Sequence, residues 1–242
     1  MHKKISLTAG DTRCSTCMLN SLCLPVGMSR SDIEKMDEIV SERLRVTKGD
    51  ALFHQGDRAL AIYGIRSGSI KTQLADAVGQ VQVTGFLLPG EVVGIDGFLN
   101  GTQLSNAIAM EDTEVCVARI EDMDRITRHL PALQHQLRRL TSQEIIRSQQ
   151  LVMSLGVLRS EQRLAAFLVN MSQRLATLGY SSHEFVLRMS REEIGNYLGL
   201  TLETVSRLFS RFARENLIRI HQREVQLLDL PLLRELSGVD CS

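Results

Sequence analysis

From Ala132 to Leu155 the chain carries neither proline nor glycine, and good helix formers occupy most positions. One continuous helix is predicted there, and it separates two halves of different texture. Before it, from Thr47 to about Ile120, short apolar runs are broken by Lys48-Gly49-Asp50, Gln55-Gly56-Asp57, Ser67-Gly68-Ser69, Gly79, Pro89-Gly90-Glu91 and Asn100-Gly101. Pieces such as Ile62-Tyr63-Gly64-Ile65 and Val115-Cys116-Val117 are short and suited to strands, which favours an antiparallel jelly roll or barrel over a parallel sheet with helical crossovers. After it, Ser160 starts a second helix with Leu164, Phe167, Leu168, Met171, Leu175 and Leu178 in helical period, ended by Gly179.

The expected fold class is therefore α+β. A length of 242 residues suits two modest domains, each with its own core. The predicted organisation is a cysteine-rich segment at 1–30, a β-roll at 31–130, a long helix at 131–156 and a second domain at 157–242, joined near Gly156.

Within the long helix, Thr141, Ile145, Ser148, Val152 and Leu155 follow the alternating four-and-three spacing of a coiled-coil seam. A second stripe runs through Leu133, Leu137, Leu140 and Leu151. One stripe suits the chain's own domain and the other a second copy of the chain. An amphipathic helix packed wholly on its own domain is the plainer alternative.

The formal net charge is zero, yet it is unevenly spread. Between Thr72 and Asp124 nine acids face one base, Arg119, whereas between Ser206 and Arg223 five arginines face one acid, Glu215. That basic region contains a strong motif. Ser190-Arg191-Glu192-Glu193 is a capping box opening a short helix to Leu198; Gly199 supplies a turn; Thr201 can cap a second helix from Leu202 to about Glu215.

Ile194, Leu198, Leu200, Val205 and Leu208 would bury the two helices against each other, with Gly195 allowing close approach, so the pair has the form of a helix-turn-helix. Two ordinary core helices are the bland alternative. Glu203, Ser206 and Arg207 lie near the start of the second helix on its polar side, where such a helix meets base edges, and Arg211 and Arg214 are placed for phosphates. Leu217 to Ile220 and Val225 to Leu227 read as a hairpin beyond it, making the motif winged; Arg219 and Arg223 are either backbone contacts or a solvated face.

Cys14, Cys17 and Cys23 fall within ten residues, and Cys116 lies in a predicted strand far away. No apolar stretch of membrane-spanning or signal-peptide length is present, so the protein is expected in the cytoplasm, where structural disulfides are rare and metal or redox chemistry leads. Four thiolates can gather one metal centre: an iron–sulfur cluster, or zinc as the direct rival. Free thiols with a buried Cys116 are a third reading, and Cys241 is given no role. A cysteine oxidoreductase would need Cys14 and Cys17 to open a helix in a βαβ setting, which the surrounding pattern lacks, so no enzyme is expected.

These features resemble the cyclic AMP receptor superfamily, and within it the fumarate and nitrate reduction regulator (FNR) branch. The resemblance spans nearly the whole chain and is carried by Cys14-x2-Cys17-x5-Cys23, by Ala61 to Lys71, by Glu161-Gln162-Arg163-Leu164-Ala165-Ala166-Phe167, and by Ile194 to Arg207. It implies a cyclic-nucleotide-binding-like roll, a [4Fe-4S] cluster ligated by Cys14, Cys17, Cys23 and Cys116, and a homodimer formed along the long helix while the cluster is intact. Oxygen would return the dimer to monomers.

The resemblance further implies that Glu203, Ser206 and Arg207 read double-stranded DNA at an inverted repeat of the TTGAT-N4-ATCAA type, activating anaerobic genes. RNA polymerase would be met through β-domain loops such as 73–83. Leu22 is placed to limit oxygen access or simply to pack. Ser148 departs from related regulators, which often set an acid at that seam position to oppose dimerisation in air. In the cyclic-nucleotide branch an arginine-serine pair clamps the phosphate; here the matching region reads Gly94-Ile95-Asp96-Gly97-Phe98 and then Leu104-Ser105, so the expectation is no cyclic AMP binding.

Overall fold

A computed structural model describes residues 5–7, 13–40, 42–98 and 100–238; Met1 to Lys4 and Cys241 lie outside the described residues. It forms two compact units, Met1–Arg147 and Ser148–Ser242, which divide within the long helix.

The first unit begins with β1 (Ile5–Leu7), the cysteine loop and α1 (Arg30–Met36). Then come β2 (Glu42–Val46), β3 (Ala51–Phe53), β4 (Ala61–Ser67), β5 (Ile70–Ala75), β6 (Val81–Leu87), β7 (Val92–Val93), a 3-10 turn at Ile95–Phe98, β8 (Asn106–Ala109), β9 (Thr113–Arg119) and α2 (Ile120–Thr127). The strands make two antiparallel sheets, β1-β2-β9-β4-β7 and β3-β8-β5-β6. This is the roll that the turn spacing predicts.

Side-chain alternation along the five-stranded sheet supplies two cores. Ile65 and Val115 point between the sheets, where they meet Val46, Phe53, Ile70 and Leu87. Ile62 and Ala118 point the other way, into a second cluster with Leu24, Met36, Ile39 and Met123. Leu130 and Leu133 close that outer cluster, with Leu137 and Leu140 packed against it.

The long helix α3 runs Pro131–Val157. Its Leu133-Leu137-Leu140 stripe therefore serves the chain's own first unit. Ile145 and Val152 of the other stripe are 54% and 71% exposed, so this face has no cover among the described residues. Among the described residues no helix is long and apolar enough to cross a membrane.

The second unit contains α4 (Ser160–Thr177), β10 (Glu184–Val186), α5 (Arg191–Leu198), α6 (Leu202–Arg214), β11 (Ile218–His221), β12 (Glu224–Leu227) and α7 (Leu230–Ser237). The predicted two-stranded wing is a three-stranded sheet, because β10 pairs with β12 beside the expected β11–β12 hairpin. Helix α7 goes beyond the expected winged helix-turn-helix; its Leu230 and Leu233 are buried after a start set by the Asp229 cap and Pro231.

Candidate functional site

The cysteine loop is a run of short turns. Cys17 N donates to Cys14 O at 3.2 Å, Asn20 N to Cys17 O at 3.2 Å and Cys23 N to Leu19 O at 2.8 Å. Buried Leu24 and Pro25 anchor its far end. Asp37, which ends α1, holds its near end: the carboxylate accepts from Ser15 N at 3.1 Å and from Ser15 Oγ at 2.5 Å.

Beneath the loop lies the outer face of the sheet. Cys116 on β9 stands opposite Arg43 on β2 and Gly64 on β4. By strand alternation Cys116 faces away from the inter-sheet core that holds Val115, toward the loop. Gly64 leaves the room this needs, since a Cβ there would come within 2.9 Å of the Cys23 sulfur.

The result is one cavity lined by Cys14, Cys17, Cys23 and Cys116, with Arg13 and Arg66 at its wall and otherwise mainly apolar side chains. Burial pushes the Cys23 thiol up to about 12, and its charged form is further disfavoured by Cys116 and Cys17. Cys14 is raised by burial and then by Cys23, Cys116, Asp37 and Cys17. Cys116 is raised by burial and by Cys17, against the opposing pull of Arg43 and Arg66. Burial and neighbouring thiols thus disfavour the charged forms of Cys14, Cys23 and Cys116, and a cationic centre is what would let them ionise.

Among the described residues no three His, Cys, Asp or Glu side chains form a ready ligand set for a metal ion. The sulfurs ring a cavity instead. The all-cysteine donor set, with room left by the missing Cβ at Gly64, fits an iron–sulfur cluster and also a four-cysteine zinc site.

In the second unit the sequence reading of the helix pair holds closely. Ser190 Oγ accepts from Glu193 N at 3.1 Å while Glu193 Oε2 accepts from Ser190 N at 2.7 Å. Gly199 ends α5 at φ 62°, ψ 40°. A Cβ on Gly195 would lie 2.7 Å from Leu200 O, so the α5–α6 turn requires glycine there. Thr201 caps α6 by accepting from Thr204 N at 3.2 Å. Val205, Leu208, Phe209 and Phe212 are buried. Arg191 lies over the Phe209 ring at 3.4 Å from its centroid, fixing the start of α5 to the middle of α6.

The opposite side of α6 exposes Glu203, Ser206, Arg207, Ser210 and Arg214. Arg207 Nη2 donates to Thr204 Oγ1 at 3.3 Å. Glu203 is held below the usual carboxylate range by its own amide, by the Thr201 hydroxyl and by Arg207, so it stands ready as a charged acceptor. Arg211 is differently placed. It pairs with Glu161 of α4, and its Nε donates to Glu215 at 2.7 Å.

Two family models match the chain: a cyclic nucleotide-binding domain over residues 43–129 and a Crp-like helix-turn-helix domain over residues 162–236. The transcriptional regulatory protein btr of Bordetella pertussis is 60% identical over 98% of both chains. The fumarate and nitrate reduction regulatory protein of Vibrio cholerae is 37% identical over 98% of this chain and 95% of its own. The chain belongs to the cyclic AMP receptor/FNR superfamily, among its FNR-type transcription regulators. The solved structure of FixK2 from Bradyrhizobium japonicum agrees in fold, with a TM-score of 0.75 and 26% identity over 82% of this chain and 98% of that one.

For this FNR-type regulator, the expected site residues fall into three groups. Cys14, Cys17, Cys23 and Cys116 are brought to one cavity. Thr201, Glu203, Ser206, Arg207 and Arg214 share the exposed helix, while Arg211, expected at a phosphate, is engaged by two carboxylates. Along α3, Thr141, Ile145, Ser148 and Val152 are exposed, but Leu155 is half-buried with its Cδ2 beside Gly199. Leu155 thus packs on its own domain. Sequence reasoning missed three contributors to the sites: Gly64 and Arg163, each of which enters only as part of a matching segment, and the Ser15–Asp37 tie.

Proposed function

We propose that this regulator responds to oxygen: with a [4Fe-4S] cluster held by Cys14, Cys17, Cys23 and Cys116, it dimerises along α3 and binds an inverted repeat of the TTGAT-N4-ATCAA type. The observation that carries this reading is the convergence of the loop cysteines and the strand cysteine on one cavity. When bound, the cluster would supply iron sites for the four thiolates and an inorganic core open to oxygen.

The chain's own residues connect that site to the dimer face. Cys14 and Cys23 pack against the same apolar cluster as Leu133, Leu137 and Leu140 of α3. Holding the loop down on the sheet therefore firms the surface on which the first half of α3 rests. Ile145 and Val152 are then available to a second copy, each able to add on the order of 1–2 kcal/mol when its exposed part is buried. The seam is short, so a coupling of only about 1–3 kcal/mol would move the monomer–dimer balance. Leu22, half-buried beside Cys23, is placed to slow oxygen at the loop side.

On DNA, the Arg207 fork suits guanine O6 and N7, Glu203 suits cytosine N4, and Ser206 adds a less selective contact. Arg214 is the phosphate-holding candidate on α6. The hairpin between β5 and β6 offers RNA polymerase a pre-ordered tip: Asp76 Oδ1 accepts from Val78 N at 3.0 Å and Gln80 N at 2.7 Å, leaving Val78 80% exposed. Cyclic AMP is not the ligand in this reading. Ser105 Oγ donates to Asp96 Oδ2 at 2.8 Å, setting a carboxylate where the clamp would need a cation.

The deciding experiment is anaerobic purification followed by iron, sulfide and zinc analysis, an absorption spectrum, and sedimentation before and after air. Four irons and four sulfides per chain, with a dimer that dissociates in air, support the proposal. Stoichiometric zinc without sulfide overturns it.

A further inference from the structure

Helix ends leave carbonyl groups without partners, and two such ends meet near Gly199 in the second unit. One is the last turn of α3 and the other is the end of α5. Between them stands the guanidinium of Arg163, from the first turns of α4. Its Nη2 donates to Leu155 O at 2.7 Å, its Nη1 to Leu198 O at 2.9 Å and its Nε to Leu158 O at 2.9 Å.

Three carbonyls, from the end of α3, the link into α4 and the end of α5, are thus tied by one rigid fork. Only arginine has donors in that planar arrangement, and its charge suits the negative ends of both helices. Gly199 is crowded into the same point: a Cβ there would lie 3.0 Å from Leu155 Cδ2 and 3.2 Å from Arg163 Nη1. A second brace runs in parallel from the start of α4, where Glu161 takes Arg211 of α6.

We propose that Arg163 is a positioning residue for DNA recognition, locking the angle between the end of the dimer helix and the helix-turn-helix and so setting the operator spacing that a dimer accepts. This rests on the dimeric, inverted-repeat reading above. In a dimer the seam lies on α3 and each reading helix follows α5, so the Leu155–Arg163–Leu198 junction is repeated on both sides of the two-fold axis. A small angular freedom at each junction would widen the range of half-site separations that both α6 helices can reach.

The test uses full-length protein prepared anaerobically, with operators whose two arms are kept and whose central spacer is lengthened or shortened by one base pair. Wild type should prefer the natural spacing by at least about tenfold. In Arg163→Gln and Arg163→Lys that ratio should fall to about threefold or less, with base preference within each arm unchanged. A role in stability alone would weaken all spacings alike and leave the ratio intact.

Retention of the full ratio by both variants overturns the proposal and leaves the dimeric reading standing. A wild type that binds every spacing equally overturns both. Should one variant not fold, as judged by circular dichroism, the other gives the comparison. Faster amide exchange at Gly199 and Leu200 in the variants, with β11 and β12 unchanged, supports the brace through a readout that needs no DNA.

Discussion

The Cys23 sulfur sits where a side chain on Gly64 would begin: a Cβ built on that glycine falls 2.9 Å from it, below any ordinary contact. Gly64→Ala is therefore expected to displace the loop from the sheet while sparing the roll, because Ala61, Ile62 and Ile65 around it keep their burial. Losing glycine's freedom in the unfolded chain favours alanine by about 0.4–1 kcal/mol, which offsets part of the clash. The metal-free variant should unfold within about 1 kcal/mol of wild type, yet bind markedly less iron per chain after anaerobic reconstitution. Full iron content in this variant would show that the close approach has no bearing on the site.

The same burial makes the metal-free protein sensitive to alkali. Cys23 is pushed up to about 12 from an ordinary value of 9.0, chiefly by desolvation. Between those values the folded chain retains a proton that the unfolded chain has lost, so stability is fully present below the lower value and falls as pH rises toward the upper one. For one thiol the slope is at most about 1.4 kcal/mol per pH unit. The urea midpoint of the metal-free protein should drop from pH 9 to about pH 11, and Cys23→Ser should flatten the decline. An equally steep decline in that variant would assign the effect elsewhere.

What could be read from the sequence follows the range of the forces involved. The helix pair is set by neighbours: Ser190 and Glu193 cap each other three residues apart, and Gly199 takes a left-handed conformation where only a side-chain-free residue is comfortable. Such local rules show in a string of letters. The partners of Arg211 and Arg163 do not, because Glu161 and Leu198 lie fifty and thirty-five positions away and meet them only after folding. Strand β10 has three residues and owes its existence to β12. The Ser15–Asp37 tie is likewise a product of tertiary contact. Family resemblance named the four cysteines, while the glycine that makes room for one of them was visible only in the register of β4 against β9.

Arg207→Ala is expected to remove a base contact from each half-site, costing about 1–3 kcal/mol per contact and relaxing selectivity at one base position per arm. Binding measured against operators substituted at each position checks this. Unchanged preference at every position would mean that α6 approaches the groove by another face.

Arg211 and Arg214 should separate, although both are cations on the same helix. Arg214→Ala is predicted to lower the salt dependence of binding by about 0.9 in logarithmic slope for each phosphate lost, weakening all sequences alike. Arg211 is already engaged by Glu161 and Glu215, so Arg211→Ala should leave the slope nearly unchanged and lower the thermal stability of the second unit only slightly, as is usual for exposed ion pairs. A salt titration of both variants decides between the roles; a larger slope change in Arg211→Ala would reverse the assignment.

Ser148 offers the sharpest test of where two copies meet. It lies on α3 between Ile145 and Val152, three positions after one and four before the other, and all three are exposed. If that line is the seam, Ser148→Asp brings two carboxylates face to face across the two-fold axis. Unit charges about 4 Å apart repel by about 1 kcal/mol even in water, which corresponds to about fivefold weaker association. Sedimentation equilibrium of the anaerobic protein should register that shift, and high salt should reverse most of it. A dimer of undiminished strength would place the contact on the neighbouring edge of the same helix, where Ile146 and Met153 are 51% and 56% exposed. Ile146→Asp would then be the variant that dissociates, so the pair of substitutions locates the seam whichever edge forms it.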